Sequence, residues 1–191
     1  MSQKVKLQVG FIALLIFLAA FSRVIPHMLN FSPLAAIGLF GAAHFSKKWL
    51  AFVIPLAATW LSDLFINNVI YGQYYDGFVW FYDGFHWQYG SYAFITLLAL
   101  PLFSKITAGR VATGSLMATV VFFLVSNFGC WVGSVMYAPD ASGLTACYIA
   151  GLPFLKGTFM GDVFYSTVLF GGYYLLQNRY SAFKLSHVTY N

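Results

Sequence analysis

Five side chains stand where strongly polar chemistry is out of place. Arg23, Asp63, Asn127, Lys156 and Asp162 each fall within or beside an otherwise apolar run. A charge at the middle of a bilayer costs about 2.5–3.5 kcal/mol on insertion scales, so such groups face one another or a wet cavity. Two cations, two anions and an amide can line a pocket for a polar solute. They can equally form two structural pairs, Arg23 with Asp63 and Lys156 with Asp162. Lys156 and Asp162 are six residues apart, about 240° around an ideal helix, so that pair does not close within one helix. No spacing typical of a metalloprotease, a redox dithiol, a phosphate loop or a nucleophile elbow occurs. The four histidines, His27, His44, His86 and His187, are scattered. The chain therefore reads as a non-enzyme with no metal site and no cofactor of its own.

The elements that must position these groups follow from composition. Of 191 residues 60% are hydrophobic and 8% charged, and the mean hydropathy is +0.75. Water-soluble domains carry about 25% charged residues, so the solvent here is lipid. The five acidic residues are all Asp, and aromatics make up 20% of the chain. The net charge of +5 is spread over the ends of apolar runs, which fits membrane topology and not nucleic acid. At roughly 20 residues per span, the chain holds about six helices and no soluble domain. The apolar stretches are continuous, which excludes an alternating β-barrel. They cover 7–25, 31–46, 49–71, 91–104, 111–135 and 151–176, one transmembrane domain over 1–191. The second and fourth are short for a span and are tilted, extended into their flanks, or re-entrant.

Charge asymmetry orients the bundle. With the N-terminus inside, Lys4, Lys6, Lys47, Lys48, Lys105, Arg110, Arg179 and Lys184 lie inside, while Asp76, Asp83 and Asp140 lie outside. That predicts an all-α, six-helix, N-in/C-in protein. A cleaved signal peptide ending at Ala20-Phe21-Ser22 is the alternative, and it would strip Arg23 of its helix. Counting about 1.5 Å per residue, Arg23 lies about 24 Å up the first helix, Asp63 about 21 Å up the third and Asn127 about 24 Å up the fifth. On the same count Lys156 is about 7 Å and Asp162 about 16 Å down the sixth helix from outside. All but Asp162 fall in the outer third, around a pocket that opens outward.

Three loops, 26–32, 72–90 and 134–150, close the outer side. In the first, Asn30 or Ser32 caps the second helix, with Pro33 in its first turn. The second repeats Tyr-Asp-Gly-Phe at Tyr75 and Tyr82, and nine of its nineteen residues are aromatic. It serves either as an interfacial belt or as a lid over a planar ligand, with Asp76, Asp83 and His86 as polar handles. Cys130 and Cys147 both map to the outer side, where a disulfide is permitted but not dictated. Gly38-x-x-x-Ala42 packs the second helix closely, within the bundle or against a partner.

Several blocks resemble a known family. They are Arg23-x-x-Pro26-His27-x-x-Asn30-Phe31-Ser32-Pro33-Leu34-Ala35-Ala36, Leu61-Ser62-Asp63-Leu64, Ser126-Asn127-Phe128-Gly129-x-Trp131, Gly143-Leu144-Thr145-Ala146-Cys147-Tyr148 and Gly161-Asp162-Val163-Phe164-Tyr165. They are similar to those of small bacterial membrane proteins known only as a domain of unknown function and a transport protein by inference. That family in turn resembles the S components of energy-coupling-factor (ECF) vitamin transporters, six-helix proteins whose pocket opens beneath the outer loops. The resemblance implies a multi-pass protein of the bacterial cytoplasmic (inner) membrane that binds a micronutrient such as a vitamin, with cobalamin as one example. It implies Arg23, Asp63, Asn127 and Asp162 as the pocket floor, with His27, Asn30, Asp76, Asp83, His86 and Trp131 around the ligand and Lys156 against an anionic group. It also implies an energising transporter module as partner, although the Ala-x-x-x-Ala docking motif of S components is absent between 7 and 25. The rival reading is a structural or assembly subunit of a larger membrane complex, in which the buried charges are scaffold.

Overall fold

Apolar runs in lipid must satisfy their own backbone groups, and helices do so within one segment. The computed structural model describes residues 3–180, which are mainly helical with no strand among them. Helix α1 is Gln3–Phe21, prolonged by a 3₁₀ turn at Ser22–Val24, and α2 is Leu34–His44. Helix α3 is Lys48–Phe65, prolonged by a π turn at Ile66–Ile70, and α4 is Phe85–Leu102. Helix α5 is Ala108–Gly133. Helix α6, Ala141–Ser166, continues through a π turn at Thr167–Gly171 into α7, Gly172–Arg179. Lys184 and His187 lie outside the described residues.

Three stretches, Val5–Val24, Lys48–Ile70 and Ala108–Gly133, are long and apolar enough to cross a membrane. Their outward faces carry exposed Leu14, Leu18, Val53, Leu116, Val120 and Leu124, the surface expected where lipid is the solvent. Helices α1, α3, α4, α5 and α6 surround α2, which packs against all five. One end of the bundle carries Lys47, Lys48, Lys105 and Arg110 and is called here the basic end. The other, with the 72–84 loop, is the aromatic end.

Three helices depart from their expected bounds. The second helix has 11 residues instead of the run 31–46, and all of them are buried. At 1.5 Å per residue it is about 16 Å long, half of a hydrocarbon core about 30 Å thick. It cannot begin earlier because Asn30 takes a left-handed φ of 59° and Pro33 disfavours helical geometry in the residue before it. The outer loops also shrink. Gly84, with φ of 76°, starts α4 at Phe85, so His86, Trp87, Gln88 and Tyr89 are helical. Asp140 caps α6 by accepting the Gly143 N–H at 2.9 Å, so α6 begins ten residues before 151. Its early glycines serve close packing: a side chain at Gly143 would meet the Ala138 backbone, and one at Gly151 would meet Asn127.

The small residues of α2 are used inside the molecule. A Cβ on Gly38 would lie 2.8 Å from Thr96 Oγ1, and one on Gly41 3.3 Å from the Ala51 carbonyl. The Gly38–Ala42 face is therefore sealed against α3 and α4 and is closed to any partner.

Candidate functional site

The short α2 forces the backbone before it to enter the bundle. Segment 25–33, which reads from sequence as an outer loop, lies against α6. A side chain at Gly157 would strike the Leu29 carbonyl, and one at Gly161 would lie 2.6 Å from the Ser32 nitrogen. The two glycines, four apart on one helix face, make room for non-helical chain at the level of Asp162. Irregular backbone at membrane depth is tolerated only where protein or a wet cavity surrounds it. Here α2 begins in mid-bundle with Pro33 at its N-cap and only Ser32 Oγ, 3.4 Å from the Leu34 N–H, as a side-chain partner. The first-turn N–H groups of a helix lack intrahelical acceptors and carry its positive dipole end.

Beside this break sits the one salt bridge among the described residues. Arg23 Nη1 donates to Asp63 Oδ1 at 2.6 Å and to Ser62 Oγ at 2.9 Å. Tyr89 on α4 donates its hydroxyl to Asp63 Oδ2 at 2.7 Å, so three elements meet at one carboxylate. The remaining Arg23 donors, on Nη2 and Nε, make no hydrogen bond among the described residues. Tyr82, from the second Tyr-Asp-Gly-Phe copy, is half-buried; burial, then the nearby Asp63 carboxylate, pushes its phenol above its ordinary range. Asp63 is 5% exposed, a degree of burial at which an unpaired charge is not tolerated.

Asp162 is buried more deeply, at 2% exposure. Its Oδ2 lies 2.7 Å from Thr119 Oγ1, and no cation among the described residues pairs with it. Thr119 is 11 residues into α5, so the contact lies about 17 Å from that helix's basic end and near its middle.

Two cavities adjoin at this depth. One of about 180 Å³ is lined by Arg23, His27, Asn30, Gln88, Tyr92 and Asp162 among others. The second, about 220 Å³, is lined by Asn30, Gln88, Ser126, Asn127, Cys130 and Thr158 among others. Asn30, Gln88, Phe122 and Thr158 belong to both walls. Together they reach the lower end of the range, about 300–1,000 Å³, in which small-molecule sites fall. A cobalamin, with its corrin and appended nucleotide, is several times too large. Farther toward the basic end, α5 and α6 part around an apolar groove of about 650 Å³ whose lining includes Ser115 and Ser166.

The structure thus gathers Arg23, His27, Asn30, Asn127 and Asp162 around the cavities, with Asp63 behind Arg23. It leaves others outside. Asp76, Asp83, His86 and Lys156 are exposed and line neither cavity. The aromatic loop folds along α3: Trp60 Nε1 donates to the Trp80 carbonyl at 3.2 Å, and Asn68 holds Val79 through both backbone groups at 2.7 and 2.9 Å. Phe78, Trp80 and Phe81 remain exposed, so this loop has the character of a belt and covers no cavity. Trp131 Nε1 donates to the Ala138 carbonyl at 2.8 Å and fixes the α5–α6 turn. Lys156 does not meet Asp162. Cys130 and Cys147 are free thiols, the latter bonded to the Asn127 carbonyl at 3.4 Å. The lining residues Gln88, Tyr92 and Thr158 escaped sequence reading because they are uncharged; the one available signal was the apolar run of α4 continued backward to Gly84.

No curated protein and no solved structure matches the chain. A family model covers nearly all of it, residues 3–183. The chain belongs to that family, a family of unknown function designated DUF6580.

Proposed function

We propose that the protein is a multi-pass transport protein of a bacterial cytoplasmic membrane, with six crossings and both termini inside, which binds a small solute in the paired cavities. The basic end then faces the cytoplasm and the cavities are reached from the aromatic end. The observation that carries this reading is the break between α1 and α2. It brings a half-length helix N-terminus, the free edge of Arg23, Asn30 and Gln88 to one mid-bundle cavity. Interrupted helices whose half-helix N-termini face a midplane site are a recurring device for binding anionic groups in transporters. The Nη2 and Nε edge of an arginine suits a carboxylate or a similar planar anion. The substrate class is therefore a vitamin-sized or smaller molecule carrying an anionic group, and the protein's task is binding and passage without chemical conversion. The resemblance of the sequence blocks to S components is in line with this reading and would add an energising module as partner.

The test is access to the cavity wall. In proteoliposomes containing the full chain with Cys130 and Cys147 replaced by Ser, Thr158→Cys reacts with a small membrane-impermeant thiol reagent added on the aromatic side. A dry structural bundle leaves it unreactive from both sides until unfolded.

A further inference from the structure

Asp162 combines three features that a structural carboxylate in lipid does not need. No cation among the described residues pairs with it, it forms part of the wall of the smaller cavity, and it sits between that cavity and the groove toward the basic end. On α6 it is flanked one turn away on each side by Thr158, in the cavity wall, and Ser166, in the groove wall. Ser166 is 1% exposed and its hydroxyl has no hydrogen-bond partner, which marks a polar position prepared for something other than packing. On the facing helix Thr119 and Ser115 continue the same seam.

The hydrogen count leaves room for a proton on the acid. Thr119 Oγ1 lies 3.0 Å from the Ser115 carbonyl and 2.7 Å from Asp162 Oδ2. A hydroxyl has one hydrogen and cannot donate to both. A proton on Asp162 resolves this: the acid donates to Thr119, and Thr119 donates to the Ser115 carbonyl. The charged and titratable side chains sharing the cavity wall are Arg23, His27 and Tyr92. Arg23 is committed to Asp63, and exposed His27 has its Nδ1 2.9 Å from the Met28 carbonyl. None of them forms an ion pair with Asp162.

Resting on the reading of the cavity as a solute site, we propose that Asp162 is a proton-binding site that loads together with an anionic ligand. An ionised Asp162 in the same small cavity repels the anionic group that the Arg23 edge and the α2 N-terminus attract. The neutral acid removes that repulsion. Binding therefore selects the protonated form of Asp162, taking up one proton from water onto a carboxylate oxygen wherever the acid is ionised beforehand, and release toward the basic end returns it along the Thr119–Ser166 seam. No other bond is made or broken. Solute movement by this route is proton symport.

The experiment uses the full chain in lipid nanodiscs. Infrared spectra at neutral pH contain a protonated-carboxyl carbonyl band that is lost in Asp162→Asn and shifts in Thr119→Val, where the acid keeps its proton but loses its acceptor. The band moves on transfer to D₂O because the cavity gives water access. Sodium benzoate, ionised throughout, serves as the planar carboxylate probe. Its dissociation constant rises up to about tenfold per pH unit once the acid titrates, by proton linkage, and is independent of pH in Asp162→Asn. Absence of the band in folded protein, or benzoate affinity flat with pH in the wild type, overturns the proposal, as does a lack of benzoate binding at every pH. A cavity that yields no natural solute leaves the band intact, so failure of the transport reading is separately visible.

Discussion

Replacing Asp63 by Asn keeps the shape of the side chain and removes the one charge that forms an ion pair with Arg23 among the described residues. Nη1 of Arg23 then keeps Ser62 Oγ and one neutral amide oxygen, and Tyr89 loses an ionic acceptor. Removing one partner of a fully buried ion pair costs about 3–5 kcal/mol, whereas exposed pairs are worth about 0–1 kcal/mol. The Arg23 side chain is 19% exposed and borders a cavity, whereas that of Asp63 is only 8% exposed. Water in the cavity solvates part of the orphaned guanidinium, which places the loss at about 2–3 kcal/mol between those limits. Arg23→Gln leaves a more deeply buried anion and costs at least as much. Because both single variants strand a charge, Arg23→Gln with Asp63→Asn is less destabilised than the two losses added, with a coupling of about 1–3 kcal/mol. Equilibrium unfolding in mixed micelles, followed by far-UV circular dichroism, measures all four corners of the cycle. Single losses below about 0.5 kcal/mol, the level of an ordinary surface change, or strictly additive losses, refute the assignment of this pair as the lock between α1, α3 and α4.

Further outcomes follow from the same geometry. Gly157→Ala drives a methyl group into the Leu29 carbonyl, so it destabilises by about 1–3 kcal/mol, as overpacking does, and raises protease cleavage within 25–33; unchanged stability and cleavage count against the inserted segment. The Gly143 N–H and then the Ser142 hydroxyl hold the Asp140 carboxyl below its usual range. A carboxyl held low when folded stabilises above its unfolded pKa and loses that contribution as pH falls through the lowered value. Asp140→Ala therefore speeds amide exchange at Gly143 and Leu144 at pH 7, and the difference from wild type fades only as pH falls below the ordinary carboxylate range and through the lowered value; a difference that does not change with pH contradicts the cap. Exposed Cys130 reacts with maleimide in the folded protein, and buried Cys147 reacts only after unfolding; equal rates for the two contradict the packing of α5 on α6.

Much of the helical plan could be read from charge and apolarity alone. Lys47-Lys48 and Lys105 with Arg110 punctuate the chain at the basic end, and the runs containing α1, α3 and α5 need no tertiary information. The polar set was legible for the same reason, because Arg23, Asp63 and Asp162 are expensive in lipid wherever they are placed. What could not be read was any feature decided by close approach. Helix α2 is half-length because Asn30 and Pro33 interrupt a stretch whose hydropathy continues across them, and hydropathy does not register backbone geometry. The start of α6 was hidden because Gly143 and Gly151 look like loop residues until the backbone and side chain they admit, Ala138 and Asn127, are known. Asp76 and Asp83 were drawn into the candidate site by their charge, but the Asn68–Val79 clamp ties their loop to α3. Lys156 enters the candidate site on the strength of its depth in an apolar run, yet it is exposed on α6, and the partner of Asp162 is Thr119 from α5.

The central claim is that the paired cavities hold a small solute. The most direct measurement is mass spectrometry of small molecules released from the full-length protein after gentle purification, run beside Gln88→Leu, which keeps the cavity's volume but removes a polar group shared by both walls. The account predicts one compound at near-stoichiometric amount, carrying an anionic group and small enough for cavities of about 180 and 220 Å³, and depleted in the variant. Another protein bound at fixed stoichiometry, with no small molecule in either sample, contradicts it and favours a structural subunit of a membrane complex.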